Sequence, residues 1–400
     1  MRSKKILFIL STLLLLSLLC SCATNMQASK NDAKPVVAIN DAAPQTSEQA
    51  SPSPAGKLTT DDKKAQSIKI VAVGDILLGR GVGFRLKANG KSFTYPFEKV
   101  VNILKEGDII FGNLEEPITS STKGLTNIDA GGKYVLKNDV EAFEGIKYAG
   151  FNLLNLANNH ILDFYEEGLN ETINILDKHE IAHAGAGKNL SEARKPAIIE
   201  RKGIKVGMLS YTDMSEVLYM GNPPLKFIAG EGKAGVAPRY EDYRYLKEDI
   251  EALRKEVDIV IVSLHWGIEE SFEVTSSQRE YAYNLLDCGA DIILGHHPHQ
   301  FQGIEIYKGK PIIYSMGNFI FDQNDPENQE TFILNMEFLG NKLVNFSATP
   351  TRTIGKTQVV PLEGDNASQL LRRQIDLNAK LGCKSFIKDD KLVFEITEVK

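Results

Sequence analysis

From Ile68 onward the chain alternates short apolar runs with polar endings. Ile68-Lys69-Ile70-Val71-Ala72-Val73 runs out at Gly74-Asp75, and Asp108-Ile109-Ile110-Phe111 at Gly112-Asn113-Leu114-Glu115. Phe151 to Ala157 leads into Asn158-Asn159-His160, Val257 to Leu264 into His265-Trp266-Gly267, and Ile292-Ile293-Leu294 into Gly295-His296-His297-Pro298-His299. Near-continuous apolar runs of this length predict strands buried on both faces. Stretches of helical period lie between them, at Tyr95 to Lys105, Asn138 to Tyr148 (capped by Asn138 or Asp139), Glu166 to Lys178, Tyr240 to Val257 and Ser276 to Cys288. Strands alternating with helices predict an α/β domain, and such a sheet places its chemistry beyond the carboxyl ends of its strands.

The second half is richer in strands. Pro196 to Glu200 and Lys205 to Ser210 flank a Lys202-Gly203 turn, and Gln302 to Tyr307 and Pro311 to Ser315 flank Lys308-Gly309. Thr331 to Phe338 and Leu343 to Ala348 follow, and Phe386 to Val399 reads as a last strand pair. Met214 to Ala237, with its glycines and prolines, has no stable period and is expected to be an irregular insertion over part of the cleft. Gly79, Gly81 and Gly83 lack the dinucleotide-binding spacing and are expected to form a tight turn.

The first sixty-odd residues are of another kind. Arg2, Lys4 and Lys5 precede an apolar run from Ile6 to Cys20, the pattern of a signal peptide rather than of a membrane span. Leu19-Cys20-Ser21-Cys22 resembles a lipoprotein signal with Cys22 as the lipidated residue, ordinary secretion being the alternative. Residues 22–67 are small and polar and are expected to be a flexible tether. The expected domains are therefore a signal at 1–21, the tether at 22–67, the main domain at 68–350 and a C-terminal extension at 351–400. Cys288 and Cys383 are expected to be free thiols, a disulfide between them in an exported protein being the alternative. A formal net charge of −6 without clustered Lys and Arg excludes a nucleic-acid footprint.

Three of the seven histidines fall within four residues, His296, His297 and His299. Imidazole is a common neutral metal ligand, and a rigid turn at Pro298 can aim His297 and His299 into one cleft. Strand alternation puts Asn113 and Glu115 on one side. Asp163, three residues beyond His160, can accept a proton from its ring and fix it. His179 reads as a helix-end residue, while His183, ending a short strand, is a candidate for lining the cleft.

Taken together, Gly74-Asp75, Asn113-Leu114-Glu115, Asn158-Asn159-His160 with Asp163, His265-Trp266-Gly267, Gly295 through His299 and Gly317-Asn318-Phe319 resemble the bacterial poly-gamma-glutamate capsule-synthesis (CapA-like) family. That family in turn resembles the calcineurin-like metallophosphoesterases. The resemblance implies a four-layer α/β/β/α sandwich of two packed mixed sheets, with a cleft for one or two divalent ions, Mn, Zn or Fe. It implies Asp75, Glu115, Asn159, His265, His297 and His299 as ligands, and His160, oriented by Asp163, as the proton-handling residue. Two departures stand out: Asp75 lacks the histidine of the usual Asp-x-His motif, and Glu115 replaces an aspartate. The implied partners are an anionic envelope polymer such as poly-gamma-glutamate, a membrane polymer-synthesis complex, and the membrane itself through the lipid. The implied location is the cell membrane or outer envelope. Hydrolysis or transfer at a phosphoryl or an amide centre fits this ligand set, and a noncatalytic polymer-binding or assembly role is the alternative. Arg80, Arg85 and Lys133 are candidates for attracting an anion.

Overall fold

The computed structural model describes residues 66–125, 134–217 and 225–396. The signal, most of the tether, Cys22 and Lys133 lie outside the described residues.

The apolar runs form two sheets. In the larger, the parallel strands Ala182–Ala184, Leu153–Asn155, Ile109–Leu114 and Ser67–Ile76 are followed by Glu330–Leu339, Lys342–Ile354, Lys391–Phe394 and Ser385–Lys388 in antiparallel order. The other sheet has parallel strands Ile204–Thr212, Ile259–His265, Ile292–His296 and Lys310–Ile313 at its centre. Antiparallel strands Ala197–Arg201 and Ile304–Tyr307 close its two edges.

Alternation along each strand divides the core into layers. Ile68, Ile70 and Ala72 pack with Val206, Met208, Ile259, Ile261, Ile292 and Leu294 between the sheets. Val71 and Val73 face the other way, onto Phe97, Ile146 and Leu169. Val260, Val262, Leu264 and Ile293 face Ile250, Tyr281 and Leu285 on the far side of the second sheet. The result is the expected α/β/β/α sandwich, each strand buried on both faces because helices cover the outer ones.

Helices Tyr165–Lys178 and Ser276–Asp287 stand close to where the period places them, the latter started by a Thr275–Gln278 capping box. Others differ. Residues Arg80–Ala88, expected as a tight turn, form a helix. The Tyr95 to Lys105 helix breaks into a 3-10 turn, Tyr95–Phe97, and a short helix, Val101–Leu104. The Tyr240 to Val257 helix shortens to Leu246–Leu253. Asn138 caps no helix; its Oδ1 accepts the Leu78 N–H at 3.0 Å, tying that loop to the end of the first strand. The strand Lys342–Ile354 runs through residue 350, and a helix not expected there, Asp365–Lys380, lays Ala367, Leu370 and Leu371 into the inter-sheet core. The same face buries Gln374 and Asn378, the latter accepting the Ile304 N–H at 2.8 Å. Cys288 and Cys383 are free. Among the described residues no helix is long and apolar enough to cross a membrane.

Two glycines set how closely strands meet near the strand ends. A Cβ on Gly74 would lie 1.9 Å from the Gly317 carbonyl oxygen, and one on Gly295 1.9 Å from that of Tyr314. Backbone atoms cannot swing aside as a flexible side chain can. Gly295→Ala is therefore expected to lower stability by ~3 kcal/mol or more. Gly309→Ala, where φ is +76° and no atom lies within 4 Å of the added Cβ, should cost only about 1 kcal/mol. Urea unfolding midpoints of the two variants test the contrast, and equal losses would refute the close-approach account.

Candidate functional site

The carboxyl ends of both sets of parallel strands meet at one place. In the larger sheet Asp75 lies between Asn113 on one neighbouring strand and Asn318 on the other. Asn113 organises this side. Its Nδ2 donates to Asp75 Oδ1 at 2.7 Å and to Glu115 Oε2, and its Oδ1 accepts from Asn155 at 2.7 Å and Asn158 at 3.2 Å. Asn158 in turn donates to the Leu114 carbonyl at 2.8 Å and accepts the N–H groups of His160 and Ile161, fixing the loop that presents Asn159 and His160.

The second sheet supplies imidazoles. His265 Nε2 is 2.8 Å from Asn159 Oδ1 and 3.6 Å from Glu115 Oε1, so one ring bridges the two sheets. His296 Nδ1 is 3.0 Å from Asp75 Oδ1. His297 (φ 95°) and His299 (φ 60°) flank Pro298 in left-handed conformations that side chains seldom adopt, and that place both rings in the cleft. The His297 ring lies 4.9 Å from His265 and 6.2 Å from His299. His299 Nδ1 sits 2.9 Å from Asn318 Oδ1 and 3.4 Å from Asp75 Oδ2. All six expected ligands, Asp75, Glu115, Asn159, His265, His297 and His299, are thus brought together and buried.

Burial and charge sort their protonation. Burial works to raise the Asp75 pKa, but the His296 hydrogen bond and the His299 ring 3.4 Å away outweigh it and hold the carboxyl well below its usual range. Glu115 is pushed well up by burial and by the Asp75 charge. Burial, with His297 beside it, drives His265 well down, and burial takes His297 down to about 3. Burial opposes protonation of His299 too, but Asp75 raises it. His265 is therefore neutral: its Nε2–H serves Asn159, and Nδ1 keeps a lone pair.

Asp75 Oδ2, Glu115 Oε1, His265 Nδ1, His296 Nε2 and His297 Nδ1 are all buried without a hydrogen-bond partner. Buried polar atoms are normally satisfied, so a concentration of orphaned oxygens and imidazole nitrogens is the donor set a divalent cation would take. As placed, however, several of these side chains are turned onto one another. Among the described residues no three His, Cys, Asp or Glu side chains stand in position to hold one ion together.

His160 lies at the margin, its side chain 12% exposed, with Nδ1 2.8 Å from Asp163 Oδ2. Asp163 also accepts the Leu136 N–H at 2.7 Å, and burial raises its pKa. His183 does not line the cleft; it pairs with Asp177 of the preceding helix at 3.1 Å. His179 ends that helix and packs 4.5 Å from the Phe143 ring.

Residues 69–323 match the family described as bacterial capsule synthesis protein PGA_cap. The chain belongs to the bacterial capsule synthesis protein family. It is 31% identical to the PGA biosynthesis protein CapA of Bacillus subtilis (strain 168), over 86% of this chain and 87% of that one. It is 28% identical to the capsule biosynthesis protein CapA of Bacillus anthracis, over 84% and 79% of the two chains. Among solved structures, a 5'-nucleotidase from Candida albicans is a distant likeness, at 13% identity and a TM-score of 0.37, over 71% of this chain and 52% of that one.

In this capsule synthesis protein, sequence reasoning did not assign roles to His296, Asn158 or Glu116. Position inside the three-histidine cluster was the available signal for His296. Glu116 adjoins Glu115, points to the Gly79 N–H at 2.7 Å, and has a pKa raised by burial to about 8. Because the unfolded side chain titrates near 4.5, the unfolded state loses this proton first, and stability falls as pH rises from 4.5 to about 8. Glu116→Gln is expected to flatten that slope. Urea unfolding at pH 5 and pH 8 checks it; an unchanged difference between the two would count against a protonated Glu116.

Proposed function

We propose that this capsule synthesis protein acts in synthesis, export or anchoring of an anionic envelope polymer such as poly-gamma-glutamate, by metal-dependent hydrolysis or transfer at a phosphoryl or amide centre. The observation that supports it is the group of buried, unpartnered oxygens and imidazole nitrogens gathered from both sheets. Asp75, Glu115, Asn159, His265, His297 and His299 would hold one or two ions of Mn, Zn or Fe. When bound, such ions supply a Lewis acid and an activated water. The protein's own groups do the rest. Asn113 fixes the orientation of both carboxylates through one amide. Burial excludes bulk water, and Asp163 holds the His160 ring so that its other nitrogen can pass a proton to the leaving group.

A noncatalytic polymer-binding or assembly role is the second reading. The inward pairing of His296 and His299 with Asp75, and of His265 with Asn159, favours it. Elemental analysis after reconstitution with Mn, Zn or Fe separates the two. Retained metal in wild type, lost in His297→Ala and His299→Ala, is expected; wild type that takes up none would end the catalytic reading. His160→Gln should keep the metal and lower turnover by roughly 10²- to 10⁴-fold. Poly-gamma-glutamate, envelope peptides and phosphodiesters assayed in parallel for new amines and released phosphate distinguish amide from phosphoryl chemistry.

Export and anchoring are part of the same proposal, Cys22 being the lipidated residue that keeps the protein at a membrane. Cys22→Ser should move the protein from the membrane fraction to the soluble one. Unchanged mass and unchanged retention would exclude the anchor.

A further inference from the structure

The four imidazoles of the cleft are not held alike. His265 Nε2 meets Asn159 Oδ1 at 2.8 Å, His296 Nδ1 meets Asp75 Oδ1 at 3.0 Å, and His299 Nδ1 meets Asn318 Oδ1 at 2.9 Å. Each of these rings has one nitrogen fixed by an oxygen of another side chain. His297 is the exception. Its Nδ1 is buried without a partner, and its Nε2, on the other side of the ring, has the Glu269 carboxylate 4.0 Å away.

That separation is too long for a hydrogen bond. Glu269 can close it, because its side chain is 58% exposed and has no Lys or Arg partner among the described residues. Rotation about its side-chain bonds that moves the carboxylate by ~1 Å brings it within bonding distance. The His297 side chain, 3% exposed, is packed in place.

The loop that carries Glu269 is docked on the histidine turn itself. Gly267 and Glu270, on either side, have left-handed backbones, φ 98° and 55°, and the Glu270 N–H donates to the Pro298 carbonyl at 2.9 Å. Gln302 Nε2 holds the carbonyls of Ser271 and Glu273, each at 3.0 Å. A left-handed backbone at a residue other than glycine persists only where its surroundings enforce it. Between these fixed points Glu269 faces His297, and its negative charge is felt at Glu115 and His299 as well.

A neutral imidazole carries its proton on one nitrogen or the other, and the partner of one nitrogen decides which. A carboxylate at Nε2 keeps the proton there and leaves the lone pair on Nδ1, the atom that is buried and unpartnered. Carboxylates orient metal-ligating imidazoles in this way. We propose that Glu269 is a positioning residue for His297, accepting a hydrogen bond from Nε2–H and so presenting Nδ1 to a divalent cation. The proposal rests on the reading of His297 as a metal ligand and adds the tautomer and the residue that sets it.

Nitrogen-15 spectra of the metal-free protein, labelled at histidine, read the tautomer directly, since a protonated ring nitrogen and a bare one resonate far apart. The His297 signals are assigned by their loss in His297→Ala. Wild type is expected to show Nε2 protonated and Nδ1 bare. Glu269→Ala should abolish this preference and, in titrations with Mn, Zn or Fe, weaken metal affinity by roughly 10- to 100-fold. Glu269→Gln, which keeps an acceptor oxygen without the charge, should retain more of both. Glu270→Gln, at the exposed neighbouring position, should change neither. Nδ1 protonated in wild type, a tautomer unmoved by Glu269→Ala, or an equal loss of affinity in Glu270→Gln would each overturn the proposal, the last by making the effect one of bulk charge. A Glu269-dependent tautomer in a protein that takes up no metal upholds the pairing and ends the metal reading; full metal uptake with a Glu269-independent tautomer ends the pairing alone.

Discussion

The arrangement depends on how an ionised carboxylate is kept in a dry interior. Asp75 is wholly buried, and a lone buried charge is too costly to persist. It is held by His296 and His299 from the second sheet and by the Asn113 amide from its own. Removing one partner of such a group costs more than forming the pair gains, because the remaining charge stays buried. The two sheets are therefore coupled at this point by electrostatics as well as by apolar packing.

Asn113 extends the constraint. One amide donates to both carboxylates while its oxygen collects Asn155 and Asn158, so five residues share a single network. Such a network fixes orientation better than separate pairs, since each member limits the rotamers of the next. It does not satisfy everything. Left over near these strand ends are Asp75 Oδ2 and Glu115 Oε1 on one sheet and His265 Nδ1, His296 Nε2 and His297 Nδ1 on the other.

The cleft is tied to a neighbouring loop through one short segment. The Gly317-Asn318 segment lies beside the first strand, because the Asp75 N–H donates to the Gly317 carbonyl at 2.9 Å. The same Asn318 holds His299 and, through Gln323 and Asn328, the loop that follows it. A change in that loop thus has a short physical route to the histidines, through side chains in direct contact.

By itself the sequence determined the strands that matter and the residues at their ends, because a strand buried on both faces leaves an unbroken apolar run and polar residues stand out where it stops. Ile109 to Glu115 and Ile292 to His299 are legible for that reason. The pairing of His160 with Asp163 was legible from a separation of three residues. Resemblance to a known family, rather than periodicity, indicated which polar strand ends share a cleft. What only the tertiary structure decided were the long-range partners. His296 meets Asp75 and His265 meets Asn159 across two sheets, separations along the chain that no local pattern encodes. The helix Arg80–Ala88 was hidden by glycines, whereas the helix Asp365–Lys380 carries Ala367, Leu370, Leu371 and Leu377 at helical spacing and was legible in principle. For Arg80–Ala88, packing of Val82 and Leu86 against residues distant in sequence overrides the local preference of its glycines, and those partners are visible only once the chain has folded.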